Sequence, residues 1–298
     1  KRVSNFSIQL LFRLKSSSNP FDTATDYMVR VISTTGKQTT IVLKDNELAT
    51  NKSFKTKVLN EASLTWSGTA TALDSLKEYL MLARPSEIRM VKEIGYDVKS
   101  NCYLLGDILF DSQGDQYKVD QNGFFPKQNL CLDQQVIRSS NLITKFVDIS
   151  IVRFLDELFG AFGGKGILVF SYYVSSLFGR QIIDEVEFFP FMSIYGDTHT
   201  GKTNLTNILN KCFFQNWPGI TLSKSNTNKG LIRTMGVRKN FVTPLLEGTK
   251  SSTKTFDQGM LLEMYHWNDI SISAQLGSDS STRSRKYEGS LIFVQNNE

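Results

Sequence analysis

Apolar and polar positions alternate along Ser7-Ile8-Gln9-Leu10-Leu11-Phe12-Arg13-Leu14-Lys15, which predicts a strand ending at a Ser-Ser-Ser-Asn-Pro turn. Two similar runs, Tyr27–Ser33 and Thr39–Lys44, flank Thr35-Gly36-Lys37 and predict a hairpin. From Ala72 to Ala83 the apolar residues recur at helical spacing until Pro85 stops them. Short strands are expected around Ile88–Ile94, Tyr103–Phe110 and Gln116–Val119, with polar turns at Asp111–Asp115 and Asp120–Gly123. From about Asn141 to Phe162 the pattern is helical, with Gly160, Gly163 and Gly164 as its end, and Ile167–Phe178 reads as a second apolar helix. The run Phe188–Tyr195 reads as a buried strand and Asn204–Asn210 as a helix. Phe241–Glu247 and Leu291–Asn297 read as two more buried strands. The pattern divides the chain near 145. Residues 1–145 are expected to form a β-rich α+β accessory domain, and 146–298 an α/β domain. No internal repeat, low-complexity tract or coiled-coil heptad is evident.

Composition fits this division. A chain of 298 residues with 40% hydrophobic content is long and apolar enough for two cores. No apolar stretch approaches the ~20 residues of a membrane span, since Gly166–Phe178 is interrupted by serines and tyrosines. No secretory leader pattern follows Lys1-Arg2. The opening on Lys1 and the last residue, inside a core-like element, predict a piece of a longer protein. Cys102, Cys131 and Cys212 are scattered and odd in number, and only His199 and His266 accompany them, which is no zinc pattern. All three cysteines are expected as buried small hydrophobes in a reducing, cytoplasmic setting. The net charge of +5 lies mostly in the first 145 residues. The stretch 224–254 is also basic, with Lys224, Lys229, Arg233, Arg238, Lys239, Lys250 and Lys254 facing one acid, Glu247. It suits either phosphate neutralisation or an ordinary solvated face.

Candidate chemistry centres on Gly196-Asp197-Thr198-His199-Thr200-Gly201-Lys202-Thr203, which fits G-x-x-x-x-G-K-[ST] between an apolar strand and a helix opening at Asn204. The glycines let backbone N–H groups turn inward onto phosphate oxygens, and the helix adds its positive N-terminal end. Lys202 is expected to reach the β- and γ-phosphates of ATP, and Thr203 to ligate Mg²⁺. His199 reads as a spacer. Phe241–Glu247 has the form of a Walker B strand ending in one carboxylate, with Leu246 where an Asp usually stands. Glu247 is the expected water-orienting base and a further Mg²⁺ ligand. Leu291–Asn297 ends in amides, so Asn296 or Asn297 could bond the γ-phosphate or the attacking water, or simply close a turn. Trp217 and Trp66 read as core or edge aromatics.

The order GDTHTGKT, NKGLIRTMGVRKN, FVTPLLEG, a polar stretch, then GSLIFVQNNE resembles the helicase core of superfamily III and related AAA+ ATPases, found in primase–helicases of phages, plasmids and mobile elements. Upstream, Arg89–Tyr96, Tyr103–Gly106 and Asp120–Phe125 resemble the β-rich region before that core. The resemblance is specific from about Pro190 onward. It implies a hexameric ring, when full length, whose channel grips single-stranded or forked DNA, and a channel hairpin within His266–Glu288. His266-Trp267-Asn268 and Arg283-Ser284-Arg285-Lys286 lie there, giving His266, Arg283, Arg285 and Lys286 as nucleic-acid candidates, with Trp267 able to stack on a base. A plain solvated loop is the alternative. The family's arginine finger usually follows the sensor strand, and Arg233, Arg238, Arg283 and Arg285 are the alternatives inside this chain.

The function these observations imply is ATP-driven DNA unwinding or translocation, without membrane association, in replication of a phage or mobile element. The rival readings are a regulatory or defence ATPase switch without motor activity and a DNA-binding module with a degenerate nucleotide site.

Overall fold

The computed structural model describes residues 3–16, 25–83, 85–120, 124–133, 136, 142, 149–222, 227–247, 258–274 and 282–296. The chain falls into two compact units, Lys1–Lys92 with Lys118–Asp133, and Glu93–Tyr117 with Gln134–Glu298.

The first unit begins with β1 (Phe6–Ser16), β2 (Thr25–Ser33) and β3 (Gln38–Leu43), an antiparallel meander. The connection back to the sheet carries α1 (Asp45–Leu48), α2 (Asn51–Ala62) and α3 (Ala70–Leu82), and leads to β4 (Glu87–Val91), which lies parallel to β1. The chain then forms β5 (Ile94–Asp97), β6 (Cys102–Leu105), β7 (Ile108–Asp111) and β8 (Gln116–Lys118) before β9 (Phe124–Phe125) and β10 (Leu130–Leu132) return to the first sheet. Its order is β3-β2-β1-β4-β10-β9. Strand periodicity sorts its side chains. Tyr27, Val29, Val31, Ile41 and Leu43 meet Phe54, Val58, Leu73 and Leu80 of the helices, whereas Leu14, Met28, Ile88, Met90 and Cys131 form a second cluster. The sequence pattern does not mark α2, although Thr50 caps it by accepting the Ser53 N–H and Phe54, Val58 and Ala62 are buried at a spacing of four.

In the second unit, α4 (Ile151–Leu177), α5 (Gly179–Val186), β11 (Met192–Gly196), α6 (Lys202–Cys212), β12 (Ile220–Thr221), α7 (Asn228–Met235), β13 (Arg238–Lys239), β14 (Val242–Leu246), α8 (Gln258–Tyr265), the hairpin β15 (Asp269–Ala274) and β16 (Thr282–Lys286), and β17 (Ser290–Asn296) follow in order. Four of the strands make a parallel sheet of order β11-β17-β14-β12. Val242, Ile292 and Val294 pack with Leu158, Val169, Tyr173, Leu205 and Leu209 of α4 and α6. Leu245 and Leu291 pack with Leu231, Met235 and Met264 of α7 and α8. The sheet therefore has helices on both faces, the arrangement expected when parallel strands are joined by crossovers.

Several expectations change here. The run Ile88–Ile94 is not one strand: β4 belongs to the first unit and β5 to the second. Tyr103–Phe110 is two strands, β6 and β7, turning at Gly106 with φ 73°. A division at 145 would sever β5 from β13, which pairs with it in parallel through Arg238↔Ile94. Residues 93–117 therefore go with the second unit, because their hydrogen-bond partner comes from far along the chain. The glycines at 160–164 do interrupt the helix as expected: Gly163 is non-helical (φ 62°, ψ −158°), so the span α4 is two helical stretches meeting at a kink there. Residues 143–148 of the expected helix lie outside the described residues. β11 is not buried on both faces: it ends the sheet, with Ser193 and Tyr195 exposed and Met192 and Ile194 turned to the core. Cys212, the last residue of α6, is exposed, unlike buried Cys102 and Cys131. Among the described residues no helix is long and apolar enough to cross a membrane.

Candidate functional site

Parallel pairing aligns the C-terminal ends of β11, β17 and β14 along one edge of the sheet. Register sets Gly196 beside Asn296 and Leu246 beside Val294. One residue beyond, Glu247 donates its N–H to Val294 O at 3.0 Å. Its carboxylate accepts the Asn296 N–H, Oε2 to N 2.6 Å. Gly196, Asn296 and Glu247, separated widely in sequence, thus meet on three neighbouring strand ends. Crevices outside the carboxyl ends of parallel strands are where open α/β sheets bind ligands.

The loop 196–203 leaves β11 and enters α6. Gly201 stands at the N-cap with φ 85° and ψ 5°, and no side chain caps the helix. His199 also has a positive φ, 64°, uncommon for a residue with a Cβ. The Lys202 ammonium folds back into the loop, donating to Gly196 O (2.8 Å), Asp197 O (2.6 Å) and Thr200 Oγ1 (3.3 Å). Thr200 Oγ1 donates to Asp197 O at 2.8 Å. The loop therefore curls around a cation of its own. Asp197, Thr198, His199, Thr200, Thr203 and Asn204 are exposed, and Gly196, Gly201, Lys202 and Glu247 are partly so. Thr203 and Asn204 lie in the first turn of α6, where the helix leaves N–H groups without intrahelical partners. Asn297 lies outside the described residues.

The opposite edge of the sheet is sealed by buried polar side chains. Tyr172 donates to Pro190 O and Leu291 O, Tyr173 to Asn210 Oδ1, and Tyr287 to Ser290 O. Burial pushes all three phenols above their usual range, so they remain neutral donors. Asn240 and Tyr103 both donate to Leu177 O.

Between β14 and β17 the chain makes the β15–β16 ribbon, paired Asp269↔Lys286, Ser271↔Arg285 and Ser273↔Arg283. A hairpin thus occupies the span where the resemblance places one, and Lys286 is exposed. His266 precedes the ribbon, with Nδ1 3.0 Å from Glu187 O. Two aromatic and basic expectations are overturned. Trp267 is only 4% exposed, with Nε1 donating to Gly289 O at 3.0 Å, so it is a core residue and not a stacking platform. Arg238 is 4% exposed, lies 4.1 Å from the Trp217 ring centroid and donates to Thr234 O at 3.1 Å. Burial lowers its pKa to about 10. A side chain held there cannot reach a neighbouring subunit, which removes Arg238 from the arginine-finger alternatives. Arg233 is exposed. Lys239, in the same basic stretch, pairs with Glu288 at 2.7 Å, so part of that stretch serves an internal ion pair.

The sequence pattern marks residues 160–164 only as a helix stop and gives Phe162 no role. In the structure its ring approaches Gly201, with Cε1 3.3 Å from where a Cβ would stand. Nothing in the hydrophobic period signals that approach.

No protein-family model and no curated protein matches the chain.

Proposed function

We propose that the second unit binds and hydrolyses ATP with Mg²⁺, and that the protein uses this as a helicase or translocase on single-stranded or forked DNA, assembled as a homo-hexamer, in replication of a phage or mobile element. The observation that supports this most is the meeting of Gly196, Asn296 and Glu247 in register on one sheet edge. A P-loop ATPase needs a phosphate loop, an acid and a polar sensor within reach of one γ-phosphate. In this reading the loop 196–203, Glu247 and Asn296 fill those three places.

In this reading phosphate oxygens replace Gly196 O and Asp197 O as partners of the Lys202 ammonium, whose charge then offsets that developing on the transferred group. Backbone N–H groups of the loop and the first turn of α6 hold the remaining oxygens. Glu247 orients the attacking water through the carboxylate oxygen not engaged by Asn296 N. The residues suit Mg²⁺: a threonine hydroxyl, Thr203, and one carboxylate, Glu247, are hard oxygen donors, and Mg²⁺ commonly takes one or two protein ligands with water and phosphate. Bound there, Mg²⁺ would supply positive charge to offset that of the phosphates. The basic run of β16, Arg283, Arg285 and Lys286, suits a phosphodiester backbone read without sequence preference.

The switch without motor activity is favoured by one observation, the burial of Trp267, which takes the expected base-stacking residue out of the DNA-binding set. ATP hydrolysis by the full-length protein with and without single-stranded DNA separates the readings, using Lys202→Ala and Glu247→Gln as controls. Motor activity requires DNA-stimulated hydrolysis that both substitutions abolish, with Glu247→Gln still binding ATP. Hydrolysis indifferent to DNA supports the switch. No ATP binding by the unsubstituted protein overturns both.

A further inference from the structure

Three glycines converge on Phe162. The residue after it, Gly163, has φ 62° and ψ −158°, a region essentially restricted to glycine, and breaks α4 there. A Cβ on Gly166 would stand 2.7 Å from the Phe162 Cβ, too close for any side chain. A Cβ on Gly201, in the phosphate loop, would stand 3.3 Å from Phe162 Cε1. Around Gly160, Gly163 and Gly164 nothing lies within 4 Å of such a Cβ, so crowding does not explain the break. Its effect is to let the ring, partly buried with the α4–α6 core, lean on the loop.

We infer that Phe162 is a positioning residue for the phosphate loop. Its ring buttresses Gly201 at the loop-to-helix junction and so fixes the first turn of α6. Gly201 has a left-handed backbone, and its carbonyl accepts the Leu205 N–H at 2.9 Å to close that turn. Lys202 follows directly. Removing the ring frees Gly201 to leave its αL geometry and shifts the ammonium and the N–H groups together. Displacements of this kind reduce binding and rate out of proportion to their size. The functional consequence rests on the nucleotide-binding reading above; the buttress itself does not.

The test measures residue-resolved amide hydrogen exchange and equilibrium Mg²⁺–ATP binding on the unsubstituted protein, Phe162→Ala and Phe162→Leu. Phe162→Ala is expected to speed exchange at Leu205 several-fold while Leu245 and Val294 keep their rates, to weaken ATP binding about tenfold, and to be largely rescued in Phe162→Leu. Unchanged exchange at Leu205 overturns the inference. So does a uniform rise across all core amides, which would make Phe162 ordinary core packing, and so does faster Leu205 exchange with unchanged ATP affinity. If the unsubstituted protein binds no ATP, the functional reading fails, and Leu205 exchange alone decides whether the ring holds the loop.

Discussion

Asp26 on β2 illustrates how a single residue departs from its sequence appearance. Half-burial raises its carboxyl pKa above the usual 3.8, and Lys44 and Lys92 offset this only in part. A pKa raised in the folded state means that folding favours the protonated form. The stabilising contribution is complete below the unfolded value and is lost as pH rises through the folded one. At neutral pH the ionised group therefore works against folding. Asp26→Asn should be more stable than the unsubstituted protein at pH 7, and the gain should shrink as pH falls towards 4, measured by denaturant unfolding. Equal stability at pH 7 would refute this.

At this scale the motif was legible, because Gly-x-x-x-x-Gly-Lys-Thr is a local requirement of backbone geometry and charge. Glu247 and Asn296 were legible as polar residues closing apolar runs. Trp267 and Arg238 were misread, because exposure is a property of the surroundings and not of residue type. Phe162 was invisible for the same reason.

At the scale of the element, β14 shows how a strand tolerates proline in the interior of a sheet. Leu246 O accepts from Leu222 N on the β12 side, and the alternation of parallel strands turns Pro244 to that same side. β12 begins only at Ile220, so the missing N–H falls where no strand has yet started. Gly219 stands there with φ 106°, and a Cβ on it would lie 2.4 Å from Pro244 O. Gly219→Ala combines strain with a backbone clash, and should lower unfolding free energy by about 2 kcal/mol or more. Calorimetry or chemical denaturation reads this directly, and a loss under half that size would mean the chain has room the structure does not show. The run of apolar residues here was plain in the sequence. The pairing that makes Pro244 and Gly219 compatible was not, since they meet across the loop between strands. The break in α4 was legible too: Gly163 takes a glycine-only backbone geometry and breaks the span where the glycine cluster predicts a stop, while Leu158 before it and Val169 and Tyr173 after it pack into one core.

At the scale of the molecule, the two units have separate sheets. In the proposed reading the second works at the carboxyl edge of its parallel strands, with buried tyrosine hydroxyls at the other edge. The β15–β16 ribbon falls between β14 and β17 in the chain, and the proposed DNA contact is tested there. Replacing Arg283, Arg285 and Lys286 together by serine should abolish DNA stimulation of ATP hydrolysis while leaving the unstimulated rate. It should also reduce the slope of log affinity against log salt on single-stranded DNA by up to about 2, at ~0.7 per phosphate contact. An unchanged slope would dismiss the ribbon as the contact surface.

What short-range physics controls was legible along the chain: most strand and helix periods, the hairpin at Gly36, the glycine-bounded loop between β11 and α6, and the polar residues closing β14 and β17. Only the tertiary structure decided that β17, last in the chain, lies between β11 and β14, and that residues 93–117 join the second unit through β5 and β13. It also decided that Trp267 and Arg238 are interior. The physical reason is common to all of these. Strand order and burial depend on hydrogen bonds and packing between residues distant along the chain, and such pairings leave no periodic trace in any one segment.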